Sequence, residues 1–146
     1  MRIQNSIIVN RPIEEVFAVM TDVTNTPKWA AAAEREWWVT PPPHGVGSVR
    51  RAVGTAYGRR FENDLTVTEY DPPRRGAMAG EPGGMPFHAG IDFEPVAEGT
   101  RVTVTATIEL RGPFRFAGPM VSSMYNQMWK TDLATFKRLM EAGELP

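Results

Sequence analysis

The sequence predicts an α+β domain in which a curved antiparallel sheet wraps around one long C-terminal helix. Residues 100–110 alternate between apolar and polar side chains, which is typical of an antiparallel strand with one buried face. Residues 119–141 then repeat apolar side chains at helical spacing over a broad face. Short strand patterns fill most of the chain upstream, and a run of strands closed by a single helix indicates the α+β class.

The N-terminal third predicts one strand followed by two short helices. Residues 3–9 have strand character. Pro12 suits the first turn of a helix, and Glu14 and Glu15 would lie at its positively charged end. Residues 24–29 predict a second short helix before the chain returns to strand.

Six further strands are predicted, which gives a seven-stranded sheet. They are separated by turns rich in glycine and proline, such as residues 54–58 and the Pro72-Pro73 pair. The predicted strands are residues 36–40, 48–53, 60–69, 76–79, 87–94 and 100–110. The long helix then runs from about residue 119 to residue 141.

Length and composition limit the classes of function. With 146 residues, we expect one domain that spans residues 1–146. A net charge of −1 gives no overall field for nucleic acid, so we expect no nucleic-acid partner. The sequence has no cysteine, which excludes disulfides and thiolate metal ligands, and its two histidines have no metal-ligand spacing. We therefore expect no metal and no cofactor.

The sequence also predicts no membrane span. No apolar run approaches the ~18 residues that a membrane-spanning helix needs. Residues 1–9 lack the apolar core and the cleavage site of a signal peptide. We expect a cytoplasmic protein that is a monomer or a homodimer.

The long helix and the sheet are expected to enclose a cavity, and the strand patterns predict which side chains face it. Val104 and Ile108 define the inner face of the last strand, and Phe61 and Leu65 place Asn63 on the inner face of another. Methionines recur at every fourth position of the helix, which suits either a plain core or an adaptable binding surface. The predicted lining is Phe61, Leu65, Val104, Ile108, Met120, Met124 and Met128.

Three polar residues are candidates for contact with a ligand. Val49 and Val53 place Arg51 inward, and Asn63 also interrupts an apolar row. A buried polar group needs a partner, which could be a ligand carbonyl or hydroxyl, or an internal hydrogen bond. Arg51 could instead lie at the cavity mouth and reach water. Tyr125, on the long helix, could hydrogen-bond a ligand or be structural.

Two loops are expected to border the cavity entrance and to be more mobile than the sheet. Residues 41–45 and 80–86 contain several prolines and glycines and few apolar anchors.

Recognisable catalytic groups are sparse, and the sequence assigns no catalytic residue. His44 lies in a proline-rich loop, and His88 lies on the predicted outer face of its strand. No pair of carboxylates interrupts an apolar row, and Ser122 and Ser123 lack the sharp turn that presents a nucleophilic serine.

Several short motifs, taken in their order along the chain, resemble one protein family. They are Asn10-Arg-Pro-Ile-Glu-Glu-Val-Phe17, Thr21-Asp22, Pro27-Lys28-Trp29, Gly45-Val-Gly47, Val67-Thr-Glu-Tyr-Asp-Pro-Pro73 and Gly99-Thr-Arg-Val-Thr-Val104. Together they cover nearly the whole chain and resemble the polyketide cyclase/dehydrase-like branch of the START/birch-pollen-allergen superfamily, also called SRPBCC. The resemblance implies a START-like domain with the helix-grip fold. It does not fix the function, because this superfamily includes lipid carriers, hormone receptors and aromatase/cyclases.

Three functions remain open from the sequence. The first is binding of a small hydrophobic or aromatic molecule, including a lipid, in the cavity between sheet and helix. The second is a polyketide cyclase or dehydratase in which Arg51, Asn63 and Tyr125 orient carbonyls or stabilise an enolate. The third is a protein-interaction module with an exposed aromatic surface.

Overall fold

A computed structural model describes residues 1–145 and confirms the predicted α+β class. The strands are β1 (Arg2–Val9), β2 (Ala33–Trp38), β3 (Val49–Ala56), β4 (Arg59–Asp71), β5 (Arg75–Gly80), β6 (Phe87–Val96) and β7 (Gly99–Ile108). The helices are α1 (Ile13–Thr21), α2 (Thr26–Trp29) and α3 (Gly118–Glu141), and 3₁₀ turns occupy Pro82–Gly84 and Gly112–Ala117. The strands form one antiparallel sheet in the order β1-β7-β6-β5-β4-β3-β2, which is the helix-grip arrangement.

Local hydrogen bonds explain two boundaries that differ from the predicted ones. The strand β2 ends before residue 40 because the N–H groups of Val39 and Thr40 both point at the Val49 carbonyl, at 2.9 and 3.3 Å. This shared acceptor disrupts the ladder locally, as in a β-bulge, and the Val49 N–H bonds to the Thr40 hydroxyl at 2.8 Å instead of to a strand carbonyl. The helix α2 begins later than predicted because the Asp22 carboxylate accepts hydrogen bonds from the N–H and the hydroxyl of Thr24, at 2.9 and 2.7 Å. This side-chain turn holds Thr24 outside the helix.

The strand β3 approaches the α2–β2 connection so closely that it requires a glycine. A Cβ atom added at Gly54 would lie 1.9 Å from the Ala32 carbonyl oxygen. The same oxygen accepts a hydrogen bond from the Thr55 N–H at 3.0 Å. The absence of a side chain at position 54 therefore lets two backbones meet.

The two halves of α3 are packed differently. Side chains from the second half enter the core, and residues 118–128 include no fully buried side chain. The buried residues of α3 are Trp129, Asp132, Leu133, Phe136 and Met140. At the C-terminal end, Lys137 donates a hydrogen bond to the Ile8 carbonyl, and Glu141 accepts one from the Asn10 N–H at 2.9 Å. The end of α3 is thus fixed to β1, while its first half packs only partly buried side chains, such as Tyr125 and Met128, against the core.

The β3–β4 hairpin turns tightly and reaches the first half of α3. Tyr57 and Gly58 have φ values of 51° and 77°, and two successive left-handed residues fit a type I′ turn. The Tyr57 hydroxyl donates a hydrogen bond to the Met124 carbonyl at 3.3 Å. One edge region of the sheet is therefore connected to the helix across the space between them.

Candidate functional site

A cavity of about 640 Å³ lies between the inner face of the sheet and the helices. Its wall is largely apolar and is contributed by β2 to β6, α1, α2 and α3. Representative apolar side chains are Phe61, Leu65, Met78, Phe87, Ile91 and Met128. The space is not filled by a packed core, because small residues, Ala52 and Ala77 among them, face it.

The structure places five of the ten residues predicted to contact a ligand in the cavity wall. These are Phe61, Asn63, Leu65, Tyr125 and Met128. The alternation of β4 accounts for three of them, because residues 61, 63 and 65 share one face of the strand. The outer face predicted for His88 agrees with the structure, since its alternate neighbours on β6, Phe87, Ala89, Ile91 and Phe93, all line the cavity.

The orientation predicted for Arg51 is wrong. Residues that pair directly across two strands lie on the same face, and Arg51 pairs with Asp64 rather than with a cavity residue. Its guanidinium makes a bidentate contact with the Asp64 carboxylate, at 2.7 and 3.0 Å, on the outer face of the sheet. Asp64 raises the pKa of Arg51, and the hydrogen bonds from Arg51 lower the pKa of Asp64. Arg50 is the arginine that lines the cavity.

Four predicted apolar residues also lie outside the cavity wall. Val104 and Ile108 are on the inner face of β7, but they are buried in the packed core. Met120 is 62% exposed, and Met124 contributes its carbonyl to the Tyr57 hydrogen bond. On an α-helix, positions four apart drift by about 40° per step. Met124 and Met120 are therefore rotated by about 40° and about 80° from Met128, and of these three methionines only Met128 reaches the cavity.

Asn63 and Tyr125 bring hydrogen-bonding groups to the cavity without a protein partner. Both side chains are half-buried in the wall, and neither amide nor hydroxyl makes a hydrogen bond within residues 1–145. Neither group is sealed off by surrounding atoms. Burial raises the pKa of the Tyr125 hydroxyl, with a smaller contribution from Tyr57. Both groups can therefore bond to water or to a polar atom of a ligand.

A buried ion pair between Glu36 and Arg50 forms part of the wall. Arg50 Nε lies 3.1 Å from Glu36 Oε1, and the side chains are only 17% and 4% exposed. The two atoms are not aligned for a hydrogen bond, so the contact is ionic. Burial raises the pKa of Glu36, and the Arg50 charge and a Thr26 hydrogen bond oppose this only in part. The pair therefore places charge beside the cavity while each member compensates the other.

Sequence reasoning missed this pair, although one signal for it was present. Glu36 lies opposite Ala52, and Arg50 lies opposite Trp38, so the two charges are diagonal neighbours on one face. This face of β3 carries the small residues Ala52 and Gly54. A strand face that lines a cavity needs small side chains. Ala52 and Gly54 beside Arg50 therefore indicated the inner face of β3 better than Val49 and Val53 did.

Asp132 is a second acidic group in the wall and has no cationic partner. It is 6% exposed, and its Oδ1 accepts one hydrogen bond, from the Ala31 N–H at 3.2 Å. No lysine, arginine or histidine of the described chain lies within ion-pair distance of it. Burial raises the pKa of Asp132, and the Ala31 hydrogen bond opposes this only in part.

Two tryptophans give the helical side of the cavity an apolar surface. Trp29 and Trp129 line the cavity, and Trp29 packs edge-on against Phe136 at 5.5 Å between ring centroids. Their indole N–H groups have no hydrogen-bond partner and are enclosed by protein atoms. A ligand therefore meets their rings and not their N–H groups.

Both loops predicted to border the entrance contribute to the cavity wall. His44 and Gly45 come from one loop, and Pro82 and Gly83 from the other. The His44 ring stacks on Trp38 with centroids 4.1 Å apart, and its Nε2 lies 2.9 Å from the Thr40 carbonyl oxygen. These contacts hold His44 against β2. The greater mobility expected of the two loops stays a prediction.

The described chain offers neither a metal-binding cluster nor a membrane-spanning helix. Within residues 1–145, no three histidine, aspartate or glutamate side chains come close enough together to hold a metal ion. No helix in that part of the chain combines the length and the hydropathy needed to cross a membrane.

Comparisons with known proteins agree on the fold. The sequence model of the family described as polyketide cyclase/dehydrase and lipid transport matches residues 1–141. TTHA0849 from Thermus thermophilus superimposes with a TM-score of 0.83 at 20% identity, over 98% of this chain and 99% of that one. No curated protein sequence matches the chain.

Two further structural neighbours are proteins with two domains. BexL, a di-domain ARO/CYC from the BE-7585A biosynthetic pathway, matches with a TM-score of 0.79 at 19% identity, over 97% of this chain and 46% of BexL. StfQ, a di-domain ARO/CYC from the steffimycin biosynthetic pathway, matches with a TM-score of 0.81 at 11% identity, over 97% of this chain and 50% of StfQ. This chain therefore spans about half of each, and at these identities the likeness shows a shared fold.

Proposed function

The chain belongs to the polyketide cyclase/dehydrase and lipid transport family, and from this premise we propose that it binds a small, oxygen-bearing aromatic molecule in the cavity. The family match and the ARO/CYC neighbours support a ligand-binding or cyclase role. One observation carries the finer proposal: an apolar cavity in which Asn63 and Tyr125 present hydrogen-bonding groups without protein partners.

The size of the cavity supports a ligand over a vacant space. Binding pockets for small molecules usually measure about 300–1,000 Å³, and this cavity of about 640 Å³ lies within that range. An empty cavity would cost at most about 15 kcal/mol, at ~24 cal/mol per Å³. That is as large as the ~5–15 kcal/mol stability of a typical domain. Water or a ligand therefore fills the space. A cavity of this size also favours small-molecule binding over the function of a protein-interaction module.

The chemistry of the wall favours an aromatic ligand with polar substituents. Flat indole and phenyl surfaces from Trp29, Trp129 and Phe61 offer contact to a ring system. Asn63 and Tyr125 can orient a carbonyl or hydroxyl oxygen, and such isolated polar groups in an apolar pocket give specificity. A simple hydrocarbon chain would leave both groups without a partner.

A calorimetric titration with 2-acetylnaphthalene tests this proposal. We expect one site in the native protein. Met128→Trp should weaken binding by at least tenfold, because the larger side chain enters the cavity from α3. The matched control is Met120→Trp, since Met120 is exposed on the same helix. Overpacking can cost ~1–3 kcal/mol, so a thermal melt of each variant accompanies the titration. Equal affinities in the two folded variants would contradict a site in the cavity.

A second candidate function is cyclisation of a polyketide-like substrate, and the position of Arg50 favours it. Its guanidinium lines the cavity and is held there by Glu36. A fixed positive group can stabilise an enolate oxygen as it forms, while Asn63 and Tyr125 orient neighbouring carbonyls. A carrier would release a bound poly-β-ketone unchanged, whereas a cyclase would return an aromatic product with a new absorption band.

A further inference from the structure

We propose that Asp132 selects the ligand through a hydrogen bond, donating to a carbonyl oxygen when neutral and accepting from a hydroxyl group when ionised. The inference rests on the proposed function, because it specifies which ligands the cavity takes and from which wall they are recognised. It assigns the helical wall a role that complements Asn63 on the sheet.

The geometry leaves one carboxyl oxygen of Asp132 available to a ligand. Oδ1 accepts the Ala31 N–H at 3.2 Å, which fixes the side chain. The second oxygen makes no hydrogen bond within the described residues, yet protein atoms do not fully enclose it. Because Asp132 lines the cavity and is otherwise buried, the cavity is the space that this oxygen reaches.

The surroundings leave the charge of Asp132 uncompensated. From α2, Lys28 donates its hydrogen bond to Asn25 instead. From the sheet, Glu36 and Arg50 contact each other. The other charged or titratable residues of the elements packed against α3, or of the cavity wall, are Arg2, Glu34, Arg35, His44, Tyr57, Glu69, Tyr70, Arg115 and Tyr125. None of the cations makes an ion pair with Asp132.

An isolated buried carboxyl favours its neutral form, because the charged form is costly without a partner. Burial accordingly raises the pKa of Asp132 above its ordinary value. A neutral carboxyl can donate a hydrogen bond, whereas an ionised one can only accept. The preferred ligand class therefore depends on pH. Ketones are favoured at low pH, and phenols are favoured as the pH rises through the raised pKa of Asp132.

The two polar walls together define the ligand. Asn63 lies on β4 and Asp132 on α3, so they face the cavity from different sides. A molecule that reaches both carries oxygen atoms at two separated positions of its ring system. Hydroxyaryl ketones have this pattern.

The test uses three naphthalenes of similar size in calorimetric titrations from about pH 4 to about pH 8. 2-Acetylnaphthalene can only accept a hydrogen bond, 2-naphthol can also donate one, and 2-ethylnaphthalene can do neither. With wild-type protein, we expect the affinity of the ketone relative to the hydrocarbon to fall by about 3–10-fold as the pH rises. This change corresponds to the loss of one hydrogen bond. The affinity of the naphthol relative to the hydrocarbon should rise over the same interval.

Two substitutions separate recognition from structure. Asp132→Asn keeps an acceptor for the Ala31 N–H but cannot ionise, so both affinity ratios should become independent of pH. Asp132→Leu should lower the affinity of the ketone and the naphthol relative to 2-ethylnaphthalene, while 2-ethylnaphthalene still binds. If Asp132→Leu does not fold, Asp132→Asn alone decides the question. Ratios that are flat in wild type, or equally pH-dependent in Asp132→Asn, would overturn the inference and leave the proposed function intact. Failure of all three probes to bind wild type would overturn both.

Discussion

At the scale of single residues, the cavity wall combines one fixed charge pair with groups that are free to meet a ligand. Glu36 and Arg50 compensate each other at 3.1 Å. Asn63, Tyr125 and one oxygen of Asp132 have no partner in the described part of the chain. The ion pair is part of the wall, and the other three groups are the ones that we propose recognise a ligand.

The ion pair leads to a prediction about stability. Arg50→Met should lower the free energy of unfolding by about 3 kcal/mol near neutral pH, because it leaves the buried Glu36 carboxylate unpaired. Folding raises the pKa of Glu36, so this group favours the folded state at low pH and opposes it as the pH rises through the raised value. The drop in the free energy of unfolding caused by Arg50→Met should therefore be smaller in acid, where Glu36 is protonated. Urea unfolding at several pH values measures it.

A double variant is the control for this prediction. Glu36→Gln with Arg50→Met removes both charges, and it should recover most of the lost stability because no buried charge remains. A double variant no more stable than Arg50→Met would show that packing of the arginine stem, and not its charge, supports the wall.

The sequence predicted the candidate site only where alternation was unambiguous. Asn63 was placed correctly because Phe61 and Leu65 flank it on the inner face of β4. Arg51 was placed wrongly because Val49 and Val53 suggested an inner face. The register with β4 instead turns the face with Ala52 inward. On β3 the two valines lie on the outer face with Arg51, so apolar alternation did not identify the cavity face of this strand. Asp132 was missed because helical spacing alone does not reveal which turn lies over a cavity.

At the scale of elements, the close approach of β3 to the residues before β2 leads to a second prediction. Gly54→Ala should destabilise the protein by about 1–3 kcal/mol, because its Cβ would collide with a backbone oxygen that cannot rotate away. Gly76→Ala, in β5, is the matched control, since nothing lies within 4 Å of a Cβ added there. It should change stability by less than about 0.5 kcal/mol.

Thermal melts of the two glycine variants measure this difference. Equal melting temperatures would mean that β3 can move away from the α2–β2 connection. In that case the inner face of β3, including Arg50 and Ala52, would not be held in its position at the cavity.

The order and type of the elements were predictable from the sequence. Each strand is bounded by turn residues. The limits of β7 and α3, which have the clearest periods of the chain, were predicted to within two residues at each end. The division of α3 was not predictable. Its apolar residues run along the whole helix, yet the fully buried ones begin only at Trp129, and a helical period does not show how burial changes along the helix axis.

At the scale of the whole molecule, hydrogen bonds connect α3 to the sheet at both ends of the helix, and Leu133 and Phe136 pack in the core between them. The anchors are the contacts of Lys137 and Glu141 with β1 and its following turn, and the Tyr57 hydrogen bond to the first half of α3. The cavity of about 640 Å³ lies beside the Tyr57 connection, since Tyr57 and Tyr125 both line it. The fold thus keeps an apolar space between the sheet and the helices.

Native mass spectrometry of the protein purified from its own organism tests the central claim, a ligand in this cavity, most directly. We predict a one-to-one complex with an oxygen-bearing aromatic molecule in wild type and in Met120→Trp, and its loss in folded Met128→Trp. The same spectrum for all three proteins, with or without a bound molecule, would contradict the claim.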